Sequence, residues 1–240
     1  MECSAIGMQS ETAANQSLYT SGQYLGMHPT WHVEESPWKV RHILPMLQRH
    51  ALTPTTICEV GCGAGEVLRL LQENMPRECR FFGYDISPQA FELSKRKANE
   101  QLHFELGDLQ EDSNRLFDLI LVLDVIEHLE DYFSFLRKIK SRSRYKVFMI
   151  PLEISVQGVL RGRIFLNTRD MHGHLHPFSK ETALRTLEDL GYKILDYCYA
   201  PEYEMNNGQF IGFLRRLLLS VHRDWAVRIL GGCRILVLAE

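Results

Sequence analysis

Ile57-Cys-Glu-Val-Gly-Cys-Gly-Ala-Gly-Glu66 is the stretch that decides the fold. The β-branched run over 55–60 reads as a strand. Glycines at 61, 63 and 65 follow, and Val67, Leu68, Leu70 and Leu71 then take up helical spacing. A strand that passes through glycines into a helix turns tightly and lets a ligand approach bare backbone. A dinucleotide loop of the G-x-G-x-x-G kind would carry its third glycine at 66. Glu66 stands there, a poor neighbour for a pyrophosphate resting on a helix N-terminus. The spacing is instead G-x-G-x-G, with Glu59 two residues ahead of it.

Outward from this loop the pattern alternates. Strands are predicted at Arg80–Tyr84, Leu102–Leu106, Phe117–Leu123 and Lys146–Ile150, and helices at Pro88–Glu100 and Glu127–Lys140. The unbroken apolar run at 117–123 suits a central parallel strand buried on both faces. Upstream, Ser36-Pro37 caps and opens a helix carrying Val40, Ile43, Leu44 and Leu47, which Pro45 is expected to kink or end. After Pro151 the rhythm breaks until a helix at Ser179–Leu190, with strands at Lys193–Tyr199 and Arg234–Ala239. Strands alternating with helices in this way give an α/β, doubly wound parallel sheet with right-handed crossovers.

Ligands in such sheets lie across the carboxyl ends of the strands, and acids collect there. Asp85 ends the second strand, placed to accept hydrogen bonds from two ribose hydroxyls. Gly107-Asp108-Leu109 ends the third, where a carboxylate can accept from an adenine amine, and Asp124 closes the fourth. Acids at successive strand ends suit a cationic or hydroxyl-rich ligand and repel a phosphate.

The block Glu59–Gly65, with Asp85, Gly107-Asp108 and the run Phe117–Leu129, resembles the class I S-adenosylmethionine-dependent methyltransferases, nearest the ubiquinone-biosynthesis-like, type 11/12 branch. The resemblance covers residues 40–150 and, more loosely, 174–200. It implies a seven-strand Rossmann-like sheet whose last strand, Arg234–Ala239, runs antiparallel. It also implies that Glu59, Gly61, Cys62, Gly63 and Gly65 face the methionine part of S-adenosylmethionine and that Asp85 faces the ribose. Ile86 would be a further cofactor contact, Asp108 and Leu109 would hold the adenine, and Leu123 would lie beside the cofactor. Residues 1–50 would form a tail and cap helix, with Tyr24, Trp31, His32 and Trp38 as a lid. Residues 51–240 would form the methyltransferase domain, with acceptor-site insertions near 151–178 and 200–231.

Methyl transfer to a hydroxyl needs a base near the acceptor. His128, just past the fourth strand, and His174, before the Ser179 helix, are the candidates, and His172 and His176 lie close by in sequence. The reading taken is metal-free. Its alternative places Asp124, Glu127 and His128 on one face of a helical turn which, with His174, would hold a divalent ion. Small-RNA 2′-O-methyltransferases resemble that pattern, though Asp124 is shorter than the glutamate expected there.

The expected activity is O-methylation of a small-molecule acceptor. Metal-assisted 2′-O-methylation of RNA and a non-catalytic cofactor-binding partner subunit are the rivals. The net charge of −3 on 240 residues argues against a nucleic-acid partner, which needs clustered Lys and Arg. An apolar stripe over 209–230 (Ile211, Leu214, Leu218, Val221, Trp225, Ile229) suggests peripheral membrane contact or a homodimer face. The six cysteines form no C-x-x-C pair, so reduced thiols are expected. No apolar leader or spanning run is present, and a cytoplasmic location follows as the expectation.

Overall fold

The structure, a computed structural model, describes residues 18–111, 115–202 and 221–240. Seven strands form one sheet: β1 (Thr56–Val60), β2 (Arg80–Asp85), β3 (Leu102–Leu106), β4 (Phe117–Leu123), β5 (Ser143–Pro151), β6 (Ile194–Pro201) and β7 (Cys233–Ala239). Their order is β3-β2-β1-β4-β5-β7-β6. The pairs from β3 to β5 are parallel, and β7 inserts antiparallel between β5 and β6. The chain winds one way from β1 to β3 and the other way from β4. The crevice therefore opens where β1 and β4 meet, beyond Val60 and Val122.

Period-2 alternation divides the core between the two faces. Phe148 and Ile150 of β5, with Ile235 and Val237 of β7, pack under helices α5 (Tyr132–Lys140) and α8 (Lys180–Asp189). Val147, Met149, Leu236 and Leu238 point the other way, against α2 (Ser36–Arg49) and α3 (Glu66–Asn74). The helix α4 (Pro88–Ser94) is shorter than its sequence pattern, because a 3-10 turn at Lys95–Lys97 closes it early.

Two local expectations are corrected and a third is narrowed. Pro45, expected to kink or end α2, does not end it: the helix continues to Arg49 with Ile43, Met46 and Leu47 buried around it. Packing on the sheet there outweighs the ~3 kcal/mol that an interior proline costs. The segment after β4 is not one helix: a 3-10 turn at Ile126–His128 precedes α5, whose start is fixed by Asp131 accepting from the Ser134 amide at 2.9 Å. The arrhythmic stretch after Pro151 contains two helices, α6 (Val156–Arg161) and α7 (Ile164–His172). A short helix, α1 (Gln23–Met27), lies on the N-terminal side, and α9 (Arg223–Leu230) precedes β7.

Of the 209–230 stripe, residues 209–220 lie outside the described residues. Val221, Trp225 and Ile229 are solvent-exposed. Among the described residues no helix is long and apolar enough to cross a membrane.

Leu236 is fully buried in the strand that joins the parallel sheet to β6. Leu236→Ala should cost ~2–5 kcal/mol in chemical denaturation, the range for truncating a core leucine. A loss under ~1 kcal/mol would show that β7 is not integral to the core.

Candidate active site

The glycine loop leaves β1 with its first two amides tied to the neighbouring strand: Gly61 and Cys62 donate to the Tyr84 carbonyl at 2.8 and 3.1 Å. Gly63 donates to Asp85 Oδ2 at 2.8 Å, and the Ser87 amide donates to Oδ1 at 2.8 Å. Gly63 has φ +52, and a Cβ there would stand 2.6 Å from the Trp31 ring. Only glycine allows the indole to lie on this loop. Trp31 thus lies over the loop.

The covering extends further back. Ser87 Oγ donates to the Tyr19 carbonyl at 2.8 Å, and Gln89 Nε2 to the Thr20 carbonyl at 3.1 Å. The N-terminal segment therefore lies across the end of β2.

A cleft of about 480 Å³ runs from the loop toward α6 and α7. Of the residues foreseen from sequence, Tyr24, Trp31, His32, Glu59, Gly61, Cys62, Asp124, His128, His172 and His174 line it. Trp38, Gly63, Gly65, Asp85, Ile86, Asp108, Leu109, Leu123 and Glu127 do not. Leu109 and Leu123 belong to the core, and Asp108 folds back on the amide and side chain of Gln110 at 2.9 and 2.7 Å.

The buried carboxylates fall into two electrostatic classes. Burial pushes Glu59 up to about 8, with Lys39 opposing and Asp85 adding to the shift, and its Oε2 has no hydrogen-bond partner. Burial likewise holds Asp85 at about 6 despite its two amide donors. Glu127 is fully buried with both oxygens lacking hydrogen-bond partners, and burial and the nearby Asp124 raise it well above the usual range.

Asp124 is the opposite case. Burial opposes its charge, but Arg234 and Lys39 outweigh that and hold it well below the ordinary carboxylate range. Lys39 Nζ lies 2.7 Å from Oδ2, and Arg234 Nε donates to Oδ1 at 2.8 Å. Arg234 also reaches Glu35 at 3.1 Å. Asp124 has φ +55, which turns its carboxylate toward these cations. It is therefore not a fourth ligand beside Glu127, and the proposed metal quartet reduces to Glu127, His128 and His174. Lys39, Glu35 and Arg234 carry no motif of their own, and sequence reasoning missed them.

The two foreseen histidines do meet: their ring centroids are 4.7 Å apart. Tyr19 Oη donates to the His172 carbonyl at 2.9 Å and sits 2.9 Å from His128 Nδ1, which also lies 3.2 Å from the Gly173 carbonyl. These partners put the proton on Nδ1 and leave Nε2 with its lone pair. Burial and His174 push His128 down to about 3, so it stays neutral. His174 Nδ1 is 2.7 Å from Glu153 Oε1, a carboxylate that sequence reasoning also missed. A carboxylate holding one ring nitrogen while the other faces a cleft is the arrangement of an oriented base or of a ligand with outer-shell support.

A family model described as a methyltransferase domain matches residues 35–197. Nodulation protein S of Rhizobium tropici is 32% identical over 107 residues, 42% of this chain and 43% of that protein. The aligned stretch thus spans less than half the length of that relative. Among solved structures, magnesium protoporphyrin IX methyltransferase of Synechocystis PCC 6803 with bound SAH superposes with a TM-score of 0.62 at 16% identity, covering 95% of this chain and 98% of that one. The plantazolicin methyltransferase BpumL, in complex with a monoazolic desmethyl analogue and SAH, gives 0.65 at 14% identity, covering 95% and 93%. At such identities the likeness is one of fold.

The Asp124 clamp has a measurable cost of removal. Asp124→Asn leaves two largely buried cations without their counter-ion and should lose ~3–5 kcal/mol at neutral pH in urea denaturation. Because the folded-state value is depressed, this stabilisation is present above the ordinary carboxylate value of 3.8 and fades as pH falls below it. The gap between wild type and variant should close over that acidic window. A gap independent of pH would assign the loss to packing instead.

Proposed function

The chain belongs to this methyltransferase family, and from that premise we propose that it transfers the methyl group of S-adenosylmethionine to the oxygen of a small-molecule acceptor held in the cleft. The observation that carries the reading is the Glu153–His174 pair, which faces the same cleft as Glu59 and the glycine loop. The cofactor supplies an electrophilic methyl on a sulfonium. The chain's own residues fit it: Glu59 is a buried carboxylate with an unpartnered oxygen, a need that an ammonium meets, and Asp85, buried and held by two amides, keeps lone pairs for ribose hydroxyls.

His174 Nε2 takes the acceptor's proton as the new oxygen–carbon bond forms and the carbon–sulfur bond breaks. Glu153 fixes the ring and stabilises the imidazolium. His128, neutral, serves as a wall and positions the acceptor. The cleft's other wall, from Gln157 to Thr168 on α6 and α7, is where the acceptor's bulk would lie.

One observation favours a second reading. Glu127, His128 and His174 offer ligand atoms within 4.8 Å of one another, and neither Glu127 oxygen has a hydrogen-bond partner. A divalent ion there would give Glu127 its counter-charge and orient the acceptor oxygen, with Glu153 as outer-shell support to His174.

Titration calorimetry should show S-adenosylmethionine binding and nicotinamide dinucleotides not binding. Glu59→Gln and Asp85→Ala should each weaken binding by ~1–3 kcal/mol. Glu59, at about 8, is mostly protonated at neutral pH. A bound cation lowers that value, so binding should release protons and tighten as pH rises toward 8. Enthalpies independent of buffer, with full affinity in Glu59→Gln, would remove Glu59 from the site.

A screen of acceptor pools with methyl-labelled cofactor identifies the product. With that acceptor, His174→Ala should cut turnover by ~10²–10⁴-fold and leave cofactor affinity within a factor of two or so. Loss of turnover on chelation, restored by a divalent ion, selects the second reading. Normal turnover in His174→Ala would sink both.

A further inference from the structure

Outside the Glu127–His128–His174 group, a second set of nitrogen ligands comes together at the mouth of the cleft. His28 and His32 sit on the turn after α1, and His172 is the last residue of α7. Their ring centroids are 4.5 Å apart for His28–His32, 5.2 Å for His28–His172 and 6.4 Å for His32–His172. One nitrogen from each lies within 4.8 Å of the others. Three imidazole nitrogens around a tetrahedral ion stand roughly 3.3 Å apart when the bonds are about 2.0–2.1 Å. The set is therefore one small side-chain adjustment from closure.

We propose that His28, His32 and His172 form a binding site for a transition-metal ion of the Zn²⁺ class, which fastens the N-terminal segment to α7 across the cleft. Imidazoles without a carboxylate in the inner shell suit Zn²⁺, Cu²⁺ or Ni²⁺ and not Mg²⁺ or Ca²⁺. The rings are also oriented from outside. His28 Nε2 lies 3.2 Å from the Met171 carbonyl, so Nδ1 is the nitrogen left to bind an ion. His32 has Tyr24 Oη 3.1 Å from Nε2 and Glu35 3.6 Å from Nδ1, so whichever nitrogen binds the ion, the other keeps a partner. Such outer-shell contacts set ring orientation and raise ligand basicity.

The backbone is shaped for the same end. Trp31 and His32 both adopt left-handed φ values, +50 and +57, which bend the turn and bring His32 back against His28. Non-glycine residues pay for that conformation, and a hold on His32 from beyond its own turn offsets it. The inference stands apart from the acceptor chemistry, since none of the three residues is placed in it.

The test uses the full chain, stripped with a chelator and dialysed against Zn²⁺, with bound metal read by atomic emission and by competition against a chromophoric chelator. Wild type should retain Zn²⁺. His28→Ala and His172→Ala should each weaken one equivalent by more than ~100-fold, the upper scale on which outer-shell partners alone act. Glu127→Gln should leave that equivalent in place. Co²⁺ loaded into wild type should give the visible d–d bands of a tetrahedral nitrogen-rich site, lost in His28→Ala while near-ultraviolet circular dichroism is unchanged. Wild type that holds no Zn²⁺ and gives no such bands overturns the proposal. So does retention in both histidine variants, or loss in Glu127→Gln alone.

Discussion

A carboxylate ion taken out of water must be given cations, and at Asp124 they come from far apart in the chain. Lys39 belongs to the helix that precedes the first strand, and Arg234 to the last strand. Each of the three side chains exposes only 13–14% of its surface, so the attraction is little screened by solvent. By satisfying Asp124 the two cations fix where α2 and β7 meet the end of β4, and with them the floor of the cleft. Arg234 also engages Glu35 and lies 5.3 Å from the Trp38 ring, which draws the start of α2 into the same arrangement.

The clamp has an electrostatic consequence for its neighbours. With Lys39 and Arg234 drawn to Asp124, Glu59, Asp85 and Glu127 are buried with too little positive charge, and burial keeps them inclined to hold protons. One cleft thus contains an ionised acid, Asp124, a proton-holding acid, Glu59, and a neutral histidine, His128, each set by environment alone. This is a surface prepared for a ligand that brings its own cation, which a sulfonium-bearing amino acid does.

The sheet was legible because its signals are local. Apolar strand runs, glycines at 61, 63 and 65 and alternation with helices need no knowledge of distant residues. The antiparallel placement of β7 and the meeting of His128 with His174 followed from the family resemblance and from strand-end logic. What failed was set by partners remote in sequence. The metal-bound alternative placed Asp124 as a ligand on a helical turn, but its left-handed backbone and Arg234, 110 residues away, decide its direction. Helices α6 and α7 escaped notice because they bury so little: no residue of α7 is in the core, and Val159, Leu160 and Leu166 are exposed. Glu153 and Lys39 sit in no motif, and only the folded chain shows what they touch.

The insertion of β7 between β5 and β6 also sets an order of assembly. On a ribosome, β1 to β5 can pair as they emerge, each strand finding a neighbour already made. β6 cannot, because β7, its one partner in the sheet among the described residues, is synthesised after it. Until residues 233–239 appear, the exposed edge of β5 is an open template for another chain, and Asp124 lacks its guanidinium. The nascent protein therefore passes through a nearly complete state that is sticky at one edge and poorly neutralised at its centre, and both faults are mended together by the same seven-residue strand.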